Sequence, residues 1–274
     1  MPTRIRTVTF AKVVRAGTQA TVFERSFAED IVNAISPDVR IRRYGRLWRV
    51  SKPRELDGFV AAKLGFERTG RGHAVSYDER VQDFVVMEQP SEQGNFVHFV
   101  IDLPRQVLAF EEKPPDIKRQ SFLGALSALL NQSQYQFEIQ PLPDLADFQE
   151  WLQTVDRVVR FHAVLKRPNP EWRERTQKVR ELIESTGADQ VALDARVNNP
   201  QQTGLEVQKS ILGDAVEHAG GGYAKVVATG VDEDKIKRFN SAQNIRSTEI
   251  EESPDEDSES IFQKIIRTAK ELLL

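Results

Sequence analysis

The chain has 274 residues, 29% of them charged and 39% hydrophobic, with a formal net charge of −3, which is enough length for one large domain or two ordinary ones. It contains no cysteine, and this excludes disulfide scaffolds, thiolate zinc sites, iron–sulfur clusters and thiol nucleophiles. No apolar run approaches the roughly 18 residues that a membrane-spanning helix requires, and the opening MPTRIRTVTF lacks the apolar core of a secretory signal; a cytoplasmic location without membrane insertion is therefore expected.

In chain order, Ile5–Val14 alternates as a strand, and Ser26 is placed to cap a short helix that ends before Pro37. The stretch RIRRYGRLWRVSK, Arg40–Lys52, reads as another strand, followed by the apolar strand GFVAAKLGFER and the glycine-rich basic loop RTGRGH, Arg68–His73. Three β-rich runs come next, VQDFVVME, NFVHFVID and QVLAFEE, and only Leu103-Pro104-Arg105 separates the last two, as in a hairpin. The segment IKRQSFLGALSALLNQ has the spacing of a core-facing helix, YQFEIQPL that of a strand, and Asp144 can cap the helix after it.

In the second half a strand over Asp156–Arg167 ends at Pro168-Asn169-Pro170, where Asn169 and Pro170 predict a helix start; Gly187 would close that helix. A strand over Ala188–Val197, a helix over Gly204–His218, a Gly220-Gly221-Gly222 turn and a strand over Tyr223–Thr229 follow. Seven of the eleven residues in Glu249–Glu259 are acidic, which reads as a solvated loop or linker, and the last helix, IFQKIIRTAKELLL, must dock on its own core or on a second subunit. The expected fold is α+β, with a β-rich N-terminal domain over 1–150 and a smaller α/β-layered domain over 151–274.

Charge is unevenly placed. Met1–Val75 holds 15 Lys/Arg against 7 Asp/Glu, a net of +8, which leaves −11 for the remainder. Lysine and arginine neutralise phosphates while aromatic rings stack on bases, so this lobe is the candidate nucleic-acid surface. Arg42, Arg43, Arg46, Arg49, Lys52, Arg68 and Arg71 would meet phosphates, with Tyr44 and Trp48 stacking or supporting the strand. The same run also fits a half-buried strand whose arginines form a wet rim.

The sharpest enzymatic candidate is Asp102 with Glu111-Glu112-Lys113, an Asp on one hairpin strand and Glu-x-Lys on the next. It resembles the PD-(D/E)xK nuclease signature, in which carboxylates hold a divalent metal and the lysine assists the attacking water. Glu112 stands where that family usually has an apolar residue. The four histidines show no close metal-ligand spacing, the serines lie in no nucleophile elbow, and no cofactor fingerprint occurs, so neither a cofactor nor a metal is expected outside the nuclease alternative.

From Phe96 to Pro168 the order FVHFVID, hairpin, QVLAFEE, helix, FEIQPL, polar helix, VVRFHAVLKRPNP resembles the layout of RexA-type phage-exclusion proteins and of uncharacterised families from bacterial antiviral defence. The resemblance implies a dimeric cytoplasmic protein that binds DNA with little sequence preference and works with a separate effector. It supplies no catalytic residue. The expected function is thus a non-catalytic DNA-binding sensor or regulator of antiviral defence. The alternatives are a metal-dependent nuclease using Asp102, Glu111 and Lys113, and a protein–protein adaptor using the acidic segment and the final helix.

Overall fold

The structure is a computed structural model that describes residues 4–15, 26–69, 74–87, 92–132, 136–168, 176–198, 203–233, 235–253 and 256–272. The fold is mixed α+β, as expected. Its elements are β1 (Arg4–Arg15), α1 (Phe27–Ala34), β2 (Ile41–Arg43), β3 (Arg46–Val50), β4 (Arg54–Leu56), β5 (Phe59–Thr69), β6 (Ala74–Asp78), β7 (Asp83–Met87), β8 (Glu92–Asp102), β9 (Val107–Glu112) and α2 (Arg119–Leu130). There follow β10 (Phe137–Pro141), α3 (Leu145–Gln153), β11 (Arg157–Lys166), α4 (Gln177–Thr186), β12 (Gln190–Arg196), α5 (Ile211–Gly220), β13 (Ala224–Asp232), β14 (Lys235–Asn240), β15 (Ser247–Glu252) and α6 (Ser258–Leu272).

Two compact units result: Met1–Ile139 together with Ser247–Leu274, and Gln140–Arg246. This differs from the expected division at 150/151. The second unit interrupts the first, and the last strand and helix return to the fold that the chain began.

The first unit is built on a sheet of order β10-β1-β9-β8-β5-β3-β2, with β15 also on β1 and β4 on β5. β5 is buried on both faces from Phe59 to Phe66, an apolar run interrupted only by Lys63, whose ammonium pairs with Asp83 at 2.9 Å. Val60, Leu64, Phe66, Phe99, Phe110 and Trp48 form one core with α1 and α2; the Phe110 and Phe122 rings stack 4.0 Å apart. Ser26 caps α1 in a capping box with Glu29, as its position in the sequence predicts. On the other face lie α6 and the β6–β7 hairpin, whose Phe84 approaches the backbone so closely that a Cβ on Gly65 would come within 2.8 Å of its ring.

The polar stretch after residue 231 is largely strand, and the Glu249–Glu259 segment expected as a solvated loop or linker begins in one. β14 pairs with β13, and β15 pairs with β1 from Arg4↔Glu252 to Thr9↔Ser247. α6 places Ile261, Phe262, Ile265, Ile266 and Ala269 in the core, at helical spacing. Its docking partner is therefore its own unit.

The second unit is a four-stranded antiparallel sheet of order β12-β11-β13-β14. Helices α3, α4 and α5 pack on one face around Phe148, Phe161, Leu165, Val179, Ile183 and Val226. Asp144 caps α3, and Gly187 closes α4 in the left-handed conformation at φ 63°, both at the positions read from the sequence.

Candidate nucleic-acid interface

The run Arg40–Lys52 is not one strand. It is the β2–β3 hairpin, turned at Tyr44 and Gly45, whose φ values of 54° and 71° give the two left-handed residues of a tight hairpin turn. The turn pairs Arg43 with Arg46 and Ile41 with Trp48. Trp48 is fully buried, packs edge-on against Phe66 at 5.1 Å and donates its indole N–H to the Arg43 carbonyl at 3.0 Å. A base cannot reach it; its role is in the core.

Arg49 is 2% exposed. Its guanidinium lies 4.1 Å over the Tyr77 ring and bonds Glu79 at 2.6 Å, with Glu67 at 3.7 Å. That contact also holds the Glu79 carboxyl below its ordinary range. Arg46 sits 4.1 Å over Phe66 and donates to the Asp116 carbonyl. Arg43 lies 5.3 Å from the centre of the Tyr44 ring; both residues are exposed, as are Arg42 and Lys52. Of the expected phosphate contacts, Arg49 and Arg46 are thus engaged inside the fold, while Arg42, Arg43 and Lys52 face outward. Arg68 is a β5 residue opposite Gln93; Arg71 and the rest of the RTGRGH loop through His73 lie outside the described residues.

The nuclease triple does not assemble. Asp102 pairs with Val107, whereas Glu111 lies opposite His98. Four residues of strand separate the carboxylates, roughly 13 Å, too far to share one ion. Asp102 is committed to its turn, accepting from the Arg105 amide at 2.9 Å and its guanidinium at 3.0 Å. Burial and the neighbouring Arg6 cation push the Lys113 ammonium below the usual lysine range, with Nζ 5.5 Å from the Phe96 ring centre. Among the described residues no group of three His, Asp or Glu side chains could hold a metal.

The uncovered charged surface is elsewhere, in the second unit. The burial pattern of β12 alternates strictly between exposed and half-buried, and β11 and β13 alternate between buried and open positions. Registers across the sheet put Arg160 beside Arg196 and Thr229, His162 beside Asp194 and Val227, and Lys166 beside Gln190. Thr229 then faces Arg238. Among the described residues, the side opposite the helices therefore carries Arg160, Lys166, Arg196, Lys225 and Arg238 with His162, against the one carboxylate Asp194.

This face is open. Arg160 is 61% exposed at its side chain, and Ile236 76% exposed. Arg160 and His162 each approach Asp194 at 3.3 Å, and the Arg160 hydrogen bond, ahead of His162, holds the Asp194 carboxyl below its ordinary range. Arg196, Lys225 and Arg238 have no ion-pair partner among the described residues. A shallow depression of about 480 Å³, floored by Val227 and Ile236, opens between Arg160 and Arg238.

Segregation of charge makes this surface. Gln140–Arg246 holds 15 Lys/Arg and 16 Asp/Glu, a net of −1. Its acids Asp147, Glu150, Glu181, Glu184, Asp214 and Glu217 belong to α3, α4 and α5, on the other side of the sheet. Counting charge along the chain missed the face, because it spreads five cations over four strands. The signal present in the sequence is the two-residue spacing of Arg160, His162, Val164 and Lys166.

No protein-family model matches this chain, and no curated protein matches it significantly.

Proposed function

We propose that the protein binds DNA with little sequence preference, using the open face of the β12-β11-β13-β14 sheet. The observation that carries this reading is five cations against one carboxylate, among the described residues, on an open face of a unit whose total charge is close to zero. Phosphates would be met by Arg160, Arg196, Lys225 and Arg238, and the depression over Val227 and Ile236 accommodates a base or sugar between them. Among the described residues the face holds no Trp, Tyr or Phe, so affinity comes from phosphate neutralisation rather than from stacking. Arg42, Arg43 and Lys52 on the β2–β3 hairpin provide a second, smaller set of phosphate contacts. The biological setting, a cytoplasmic and dimeric sensor or regulator of antiviral defence that acts with a separate effector, rests on the resemblance in element order.

The test is fluorescence anisotropy with labelled single-stranded and duplex 20-mers over a salt series. Wild type should lose affinity with a log–log slope of about −3 to −5, near 0.9 per neutralised phosphate. The Arg160→Glu/Arg196→Glu/Arg238→Glu variant should lose most binding, while Arg42→Glu/Arg43→Glu keeps the larger share. Salt-independent binding, or an unchanged triple variant, overturns the assignment. For the biological role, expression of wild type but not of the triple variant should lower phage plating efficiency.

A further inference from the structure

On the opposite face of the first unit's sheet from α1 and α2, three side chains that are distant in sequence form one hydrogen-bonded chain. His98 Nδ1 lies 2.7 Å from Glu111 Oε2, and His98 Nε2 lies 3.1 Å from Ser258 Oγ. Glu111 is 3% exposed and His98 5% exposed, while Ser258 is half-buried as the first residue of α6. The same Oε2 also accepts the His98 backbone amide at 2.8 Å, so the carboxylate is held from two directions.

The proton positions follow from the acceptor chemistry. Burial pushes the Glu111 carboxyl up, but the His98 ring and amide that bond it bring it below the usual carboxylate range, so it is an ionised acceptor. In the neutral ring the proton sits on Nδ1 against this carboxylate, which leaves Nε2 to accept the Ser258 O–H. The ring cannot swing away: Phe96 and Phe262 contact it edge-on at 5.4 Å and 5.0 Å. At the head of α6, Asp257 takes the amides of Ser260 and Ile261.

We propose that Ser258 is an activated nucleophile for acyl transfer, with His98 as general base and Glu111 as the residue that positions it. Ser258 Oγ adds to the carbonyl carbon of an ester as its proton passes to His98 Nε2. The ester C–O bond breaks, the alcohol leaves with that proton, and acyl-Ser258 remains. Water then repeats the sequence, releasing the carboxylic acid and restoring the serine. The fitting substrate is a carboxylic ester; the neighbouring Glu256 and Glu259 are paired with Lys264 at 2.7 Å and Arg54 at 3.6 Å and so add no net repulsion. The geometry is independent of the DNA-binding face.

A fluorophosphonate probe tests this on the full chain: its P–F bond is exchanged for a P–O bond to serine, with fluoride leaving and the proton going to His98. Wild type should be labelled at Ser258, located by peptide mass spectrometry, and Ser258→Ala should not. Glu111→Gln keeps the size of the side chain but donates to Nδ1 and so selects the other tautomer; its labelling should slow by about 10³-fold or more. Thermal melts show that the variants are folded, and if Glu111→Gln is not, the Ser258→Ala comparison and the mapped site decide. Absence of labelling in folded wild type, equal labelling of other serines, or an unchanged rate in folded Glu111→Gln overturns the proposal. The Arg160→Glu/Arg196→Glu/Arg238→Glu variant should label at the wild-type rate, so a failure here is separable from a failure of DNA binding.

Discussion

Arg42 and Arg49 stand seven positions apart in one basic run and have opposite fates. Arg42 is exposed, whereas Arg49 is buried between Tyr77, Glu67 and Glu79. Charge reversal should therefore separate two effects that the sequence merges. Arg49→Glu puts a carboxylate against two others at a buried position and should cost at least about 3 kcal/mol of unfolding free energy, whereas Arg42→Glu should stay within about 0.5 kcal/mol; urea titrations read both. His218 gives a second prediction at this scale. Its Nε2–H donates to the Lys166 carbonyl at 2.9 Å, and Nδ1 faces the Thr176 hydroxyl at 3.2 Å, an arrangement for the neutral ring. Burial holds its pKa below the ordinary 6.5, against the Lys166 bond that raises it. The unfolded chain then binds the proton more readily. The stability contribution is complete above about pH 6.5 and is lost as pH falls towards the folded-state value. Melting temperatures should fall across that window, and His218→Gln should flatten the dependence.

At the scale of elements, the strongest local signals were legible. The capping box at Ser26, the cap at Asp144 and the left-handed stop at Gly187 each depend on bonds within one turn, which is why a short window of sequence shows them. The RIRRYGRLWRVSK hairpin was not legible, because its turn uses a left-handed tyrosine, which no propensity favours; the pairing of β3 with β5 supports that turn. The acidic segment Glu249–Glu259, read as a solvated loop or linker, is strand up to Glu252 for a related reason. Its charge is that of a solvated loop, yet Ser247–Glu252 gains strand pairing from β1, and Arg6 pairs with Glu252. The apolar face of α6 is covered within its own unit. Truncation before Ser260 should therefore remove core residues such as Ile265 and Phe262, and unfold the first unit rather than merely release a partner. Loss of near-UV circular dichroism and rapid proteolysis of the first unit check this; a truncated chain with the wild-type melt contradicts it.

On the scale of the whole molecule, a net charge of −3 conceals the arrangement that matters. The N-terminal excess of +8 is partly taken up by internal contacts, while a unit of net −1 places five of its cations on one face of its sheet. Electrostatic binding depends on which charges share a surface and not on their sum along the chain. For this reason the salt slope is the decisive measurement, and the triple reversal on the open sheet should change it more than any change to the hairpin. The same distinction explains Ser258, His98 and Glu111. Separated by up to 160 residues between His98 and Ser258, they carry no motif in sequence, and the return of α6 to the first sheet brings them together.

The sequence by itself determined what local forces decide: the α+β class, most element types, the helix caps, and the exclusion of cysteine chemistry. Only the tertiary structure decided the division into units, the burial of Trp48 and Arg49, the separation of Asp102 from Glu111, and the open basic face. Caps and periodicity are fixed by neighbours within a few residues, whereas strand pairing joins segments by hydrogen bonds that are blind to side-chain charge. Which cations share a surface, and which serine meets a histidine, follows from that pairing.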